Sequence, residues 1–169
     1  MTRILGIDPG SVVMGYGIIE QEAGALRYVS SGCLRLPATD LPQRLHTIYK
    51  EVGELIRKHA PDVSAVEQVF VDRNVASAIK LGHARGAAIC AIASAGLPVN
   101  EYTPAIIKQA LVGNGRAEKQ QVQHMVKLLL SLQGRLQADA ADALAVAICH
   151  ANMSATQARS GLSFRRGRR

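Results

Sequence analysis

A chain of 169 residues, 48% of them apolar and with a net charge of +7, is sized for one domain with a substantial core. No uninterrupted apolar run approaches the ~18–20 residues of a membrane span, and the opening MTRILGIDPGS passes straight into a strand and turn without a secretory pattern. Cys33, Cys90 and Cys149 stand far apart in apolar surroundings with no metal or redox spacing, and so read as reduced core thiols of a cytoplasmic protein with no membrane partner.

Residues 3–8 (RILGID) predict a buried first strand, ended by Pro9-Gly10. MGYGIIEQ and LRYVSSGCLRL predict two further strands of a meander, divided by a turn at Gly24. Over 41–59 the period changes: Leu41, Leu45, Ile48, Tyr49, Val52, Leu55 and Ile56 share one helical face, and Pro61 ends the helix. VSAVEQVF, 63–70, reads as a short central strand by its β-branched content, and 74–96 as a helix rich in Ala, Ser and Gly. LPVNEY supplies a fifth strand. A short helix over 104–112, a glycine loop (GNGR) and a helix over about 118–131 with Val122, Met125, Val126 and Leu129 on one face follow. The final helix begins at 137. The order of elements is that of an α/β domain with a mixed five-stranded sheet flanked by helices, spanning 1–155 without repeat or dividing linker. Residues 156–169 form a basic tail, expected to be disordered. RSGLSFRRGRR, which closes it, holds five arginines and no acid, and a polyanion is its natural partner.

The final helix, QADAADALAVAICHANM, is almost wholly small and apolar yet carries Asp139 and Asp142. Residues three apart share a face. Their stripe continues through Val146, Cys149 and Met153, so the face turns inward with the acids in its first turn, at the rim of the core. Two close carboxylates repel, more so when desolvated. The helix N-terminus offsets only ~0.3–1 kcal/mol for each, and a divalent cation would offset far more. The plainer alternative is a capping Asp139 and a first-turn acid at Asp142. Glu67 lies inside a strand with Val63, Ala65 and Val69 on its face, where a carboxylate needs a cation, a protein partner or a raised pKa. Asp8 closes the first strand, where a turn-starting aspartate before Pro-Gly is the alternative. If the first and fourth strands are neighbours, Asp8 and Glu67 meet, and the final helix lays Asp139 and Asp142 over them. Oxygen ligands without His or Cys favour Mg²⁺ or Mn²⁺ over zinc. Two ions about 3.5–4 Å apart are the usual arrangement for phosphodiester hydrolysis, one activating water and the other stabilising the departing 3′ oxygen.

LGIDPGS, AVEQVF, GRAEKQQVQHMV and QADAADALAVAICH, in register over about residues 3–153, resemble the bacterial RuvC Holliday-junction resolvases. The resemblance implies a ribonuclease-H-like fold, a homodimer, and Mg²⁺-dependent endonuclease action. The implied reaction is the paired, symmetric resolution of four-way DNA junctions in homologous recombination and repair, at short thymine-containing sequences. It also implies work alongside the RuvA–RuvB branch-migration machine. Asp8, Glu67, Asp139 and Asp142 each stand in the motif that carries one of the family's catalytic acids. The family has basic residues near the cut at the positions of Lys108 and Lys119, and Lys119 would stabilise charge on the phosphate.

Arg73, Lys80, Arg85 and Arg116 are further candidates for DNA contact, against the plainer reading of solvated surface charges. Phe70 would stack on an unpaired base, worth ~1–3 kcal/mol, or else belong to the core. Gly113 and Gly115 would let a loop close on DNA, unless Gly113 simply ends a helix. His124 and His150 read as structural or surface residues. The small-residue helix suits either sheet packing or a two-fold interface, and a C₂ dimer would present two sites to opposite strands of a junction. The competing functions are a non-catalytic nucleic-acid-binding module of the same fold, a nuclease for RNA–DNA hybrids, and a nucleotide-binding ATPase. The last is raised because GIDPGS also resembles the first phosphate loop of the actin and sugar-kinase fold, but that fold needs two such domains.

Overall fold

The structure, a computed structural model, describes residues 1–69 and 74–160. Five strands and five helices follow one another as β1 (Thr2–Asp8), β2 (Val13–Glu22), β3 (Ala25–Arg35), α1 (Leu41–His59), β4 (Val63–Glu67), α2 (Val75–Ser94), β5 (Val99–Tyr102), α3 (Pro104–Val112), α4 (Lys119–Leu129) and α5 (Ala138–Ser160). The sheet order is β3-β2-β1-β4-β5. The first three strands form an antiparallel meander, whereas β1 pairs with β4, and β4 with β5, in parallel. The adjacency of the first and fourth strands, assumed from the sequence, is therefore present, with Ile7 opposite Val66 at the end of their pairing.

Local chemistry accounts for the helix limits. Asp40 caps α1 by accepting from the Gln43 N–H at 3.0 Å, Pro42 sits in the first turn, and Arg57, Lys58 and His59 meet the negative end of the dipole. Thr103 caps α3 ahead of Pro104, and Gly113 closes it at φ 73°. Gly113 is thus a helix terminator, as the simpler reading had it. At the start of α4 the Gln121 side chain accepts from the Glu118 N–H at 2.9 Å, half of a capping box.

Alternation along the strands splits the core in two. Ile4, Ile19 and Ala65 face α3, α4 and α5; Leu5, Ile7, Met14, Ile18 and Val66 face α1 and α2. Helix α5 is buried on nearly every side, from Ala143 through Cys149, between the sheet and the α3–α4 pair. That explains a composition of small and apolar residues around the whole helix. Its seating depends on three glycines. A Cβ on Gly6 would stand 2.2 Å from the Ala143 carbonyl oxygen, one on Gly15 2.0 Å from the Asp139 carbonyl oxygen, and one on Gly17 2.7 Å from the Leu144 nitrogen. Backbone meets backbone there, so α5 lies directly on β1 and β2.

Three expectations are corrected. The strand VSAVEQVF ends at Glu67, where its pairing with β1 has already stopped, rather than at 70. Helix α5 runs on to Ser160, past the boundary drawn at 155, because Ala155, Gln157 and Ala158 are good helix formers. Of the three cysteines, only Cys149 is core: Cys33 is half-buried and Cys90 exposed, since α2 buries only Ala84, Ala88, Ala91 and Ile92. Helix α2 also matches a membrane span in length and mean composition, though it contains Lys80 and Arg85. The arginine-rich end of the tail, like Phe70 and Arg73, lies outside the described residues.

The glycine seat gives a test. Gly6→Ala introduces an overpacked contact with a main-chain atom, expected to cost about 1–3 kcal/mol and to lower Tm by roughly 2–12 °C at this chain length. Gly53→Ala, inside α1, where the added carbon meets only the Arg57 side chain at 3.6 Å, should leave Tm unchanged or raise it. Thermal unfolding of the two variants beside the parent chain measures both.

Candidate active site

Two local rules bring the four acids to the site. Asp8 is the last residue of β1 and Glu67 the last of β4, both on the α5 face of the sheet by alternation from Ile4 and Ala65. Parallel pairing sets them side by side, at the carboxyl ends of adjacent strands, where open α/β sheets place their ligands. Asp139 and Asp142 occupy the first turns of α5, above them. One oxygen each from Asp8, Asp139 and Asp142 falls in a group no wider than 4.8 Å, and all three side chains are half-buried. Glu67 joins through a hydrogen bond with Asp8.

The electrostatics differ from those of an ordinary buried acid in this fold. Glu20 on β2 is 2% exposed and is neutralised by Arg3 at 2.6 Å and by Arg27. The Arg3 hydrogen bond, with help from Arg27, holds its carboxyl below the usual range against the opposing effect of burial. Asp8 has no such partner. Burial, then the charge and hydrogen bond of Glu67, then Asp142 and Asp139, push it up to about 8. Glu67 is also raised, chiefly by burial; the Asp8 hydrogen bond and the Lys119 and Lys108 charges work the other way. A set of carboxylates assembled with too little positive charge, and with no competing nitrogen or sulfur donor, fits a hard divalent cation. Asp8, Asp139 and Asp142 could hold one directly.

Beside the acids lies a cavity of about 230 Å³. Glu67 and Asp142 line it together with Lys108 and Lys119. Lys119 Nζ stands 2.5 Å from Asp142 Oδ2 although its side chain is 58% exposed. Lys119 is the first residue of α4, where a cation opposes the helix dipole. The pairing with Asp142 raises its pKa and places an ammonium where a phosphate would arrive.

The other sequence-derived candidates scatter. Arg116 is exposed on the loop before α4, its N–H held by Asn114 Oδ1 at 2.9 Å. Lys80 is exposed on α2 and lines a separate groove with Ser11, Arg44 and His83. Arg85 is not a free surface charge but is tied to the chain at Glu67 and Glu101. Phe70 and Arg73 are outside the described residues. His124 is exposed, and His150 is buried with Nδ1 2.8 Å from the Tyr102 hydroxyl, so both stay outside the acid cluster. The sequence reading missed the glycine seat, although Gly15 and Gly17 alternate on one strand face, a pattern that signals close approach.

A family model described as "Crossover junction endodeoxyribonuclease RuvC" matches residues 4–150. The chain belongs to the RuvC family. It is 57% identical to the crossover junction endodeoxyribonuclease RuvC of Alkalilimnicola ehrlichii, over 94% of this chain and 96% of that one. It is also 57% identical to the RuvC of Photobacterium profundum, over 99% of each. Among solved structures, Thermus thermophilus RuvC in complex with a Holliday junction substrate superposes with a TM-score of 0.86 at 33% identity, covering 92% of this chain and 96% of that one. The yeast mitochondrial Holliday junction resolvase Ydc2 superposes with a TM-score of 0.71 at 14% identity, over 94% of this chain and 81% of the other, a likeness of fold. The expected ribonuclease-H-like architecture of the RuvC family is the one found.

The carboxylate cluster predicts a pH dependence. Because Asp8 binds its proton more tightly folded than unfolded, its contribution to stability is complete below the ordinary carboxylate range and is lost as pH rises through about 8. In EDTA, Asp8→Asn should therefore have a Tm several degrees above the parent at pH 8.5, with the gap closing by pH 4. Added Mg²⁺ should raise the parent's Tm at pH 8.5 and act little on the variant. Calorimetric scans across that pH range check both.

Proposed function

We propose that this RuvC-family chain resolves four-way (Holliday) DNA junctions during recombination and repair. It would do so by paired, symmetric, metal-dependent hydrolysis of phosphodiesters, with the ribonuclease-H-like domain as the nuclease. The observation that carries this reading is the gathering of one oxygen each from Asp8, Asp139 and Asp142 within 4.8 Å, with Glu67 hydrogen-bonded to Asp8, beside a cavity that Glu67, Asp142, Lys108 and Lys119 line.

In this reading the four carboxylates hold Mg²⁺, with Mn²⁺ as a substitute and two ions per site. When bound, the ions supply an activated water and stabilise the departing 3′ oxygen. The remaining work falls to the chain. Asp8 gives up the proton that burial and its acidic neighbours favour, and it and Glu67 become ligands. Lys119 exchanges the Asp142 carboxylate for an oxygen of the scissile phosphate and neutralises charge that develops there. Lys108, which lines the same cavity, orients the phosphate. Affinity comes from the phosphate backbone and selectivity from junction shape. Arg116, Lys80, Arg73 and the stacking ring of Phe70 extend the DNA surface, and the arginine tail adds sequence-independent attraction.

Two sites acting on opposite strands call for a homodimer, and α2 supports one. Val75, Ile79, Gly82, Gly86 and Cys90 follow one another at helical spacing along a face that is largely exposed. No atom lies within 4 Å of where a Cβ on Gly82 or Gly86 would stand. Glycines four apart on an apolar face let a second helix approach closely, so the apolar character of α2 answers to a protein partner and not to a bilayer. Cooperation with the RuvA–RuvB branch-migration machine, in the cytoplasm, belongs to the same proposal, and the family resemblance supports it.

Asp139→Asn should reduce nicking of a mobile four-way junction in Mg²⁺ to background while leaving junction affinity in EDTA within a few-fold of the parent. Wild-type cutting rates in that variant would remove the metal-site assignment. Gly86→Leu should convert the dimer to monomers in sedimentation without lowering metal binding per chain.

A further inference from the structure

Arg85 reaches from the middle of α2 to the end of β4. Its Nε donates to the main-chain carbonyl of Glu67 at 3.3 Å, and its terminal nitrogen donates to, and ion-pairs with, the Glu101 carboxylate on β5. The Arg85 side chain is only 21% exposed, although α2 has an open face. Glu67 itself sits where the sheet gives out. On one side β1 pairs with β4 no further than Ile7 and Val66. On the other, β5 continues through the pairing of Glu67 with Tyr102 and the Gln68 N–H, which donates to the Tyr102 carbonyl at 2.8 Å. The backbone that carries this glutamate is therefore supported by the ladder on the β5 side and by the Arg85 guanidinium.

A guanidinium is planar, and its donors diverge at fixed angles, so one group can tie a carbonyl on one strand to a carboxylate on the next. With Glu101 as its anchor, Arg85 sets where the Glu67 carbonyl lies, and hence where the carboxylate of the same residue points. Its donors are directed to the protein. A DNA phosphate would have to compete with Glu101, which stands beside it.

We infer that Arg85 is a positioning residue for the nuclease reaction, acting through Glu67 and anchored by Glu101, and is not a phosphate ligand. The inference rests on the nuclease reading of the acid cluster. It would also connect α2, the helix proposed as the dimer face, to the one acid carried by β4.

The test uses the full-length chain and the variants Arg85→Met, Arg85→Lys and Glu101→Gln. Three quantities are measured: the rate of junction nicking at saturating DNA as a function of Mg²⁺, the junction Kd and its salt dependence in EDTA, and the binding of Mn²⁺ to the DNA-free protein. Arg85→Met should lower the nicking rate about tenfold or more and raise the Mg²⁺ and Mn²⁺ concentrations for half-saturation several-fold, with junction Kd within twofold of the parent. Arg85→Lys, which keeps the charge but not the fork, should not rescue the metal dependence. Glu101→Gln should shift metal half-saturation in the same direction by a smaller factor, although it removes a negative charge.

Weaker junction binding with a salt slope reduced by about one, at unchanged metal half-saturation, would make Arg85 a phosphate ligand and overturn the proposal. So would unchanged Mn²⁺ binding in Glu101→Gln, which decides the matter should Arg85→Met not fold. A parent chain that binds Mn²⁺ but nicks no junction would instead remove the nuclease reading, while the Mn²⁺ titrations would still test the tie to Glu67.

Discussion

The close approach of α5 to the sheet is the constraint from which the site follows. Without side chains at Gly6, Gly15 and Gly17, the backbone of α5 lies directly against the backbones of β1 and β2. A helix held off by ordinary side chains would carry Asp139 and Asp142 away from Asp8. The main-chain contact at Gly15 involves Asp139 itself, so the residue that seats the helix is also one of those the seat serves. The small residues of α5 complete the arrangement, because they allow α3 and α4 to close over its other sides.

That packing concentrates negative charge faster than the protein neutralises it. Glu20 shows how the same fold treats an acid whose role is structural: two arginines surround it and its proton is lost easily. At the site the balance is withheld. Asp8 and Glu67 share a hydrogen bond instead of each having a cation, and the single ammonium in contact with the cluster, among the described residues, comes from Lys119 at the wrong end of a helix dipole. The arrangement is destabilising in the absence of a ligand and complementary to a cation and a phosphate together. It accords with membership of a family of endonucleases.

Much of this was legible in the chain. Helical periodicity located α1 at its true limits, and the short helix expected over 104–112, ahead of the glycine loop, matches α3. Asp139 and Asp142 were identifiable as an inward pair because i and i+3 share a face and the stripe below them is apolar. Glu67 stood out because a carboxylate within a β-branched strand requires compensation. The motifs then assigned the family. Periodicity located the end of β4 less well, since VSAVEQVF remains strand-like to its last residue, whereas the strand ends where its neighbour β1 turns away.

What the sequence determined by itself was therefore the set of elements and the identity of the acids, because both arise from local propensities and from the cost of burying charge, which act within a few residues. What only the tertiary structure decided was the neighbour of each strand, the seating of α5 on three glycines and the enlistment of Arg85 by Glu67 and Glu101. Those depend on groups brought together from positions as far apart as Gly6 and Ala143. No local rule specifies which distant backbone a missing side chain will admit.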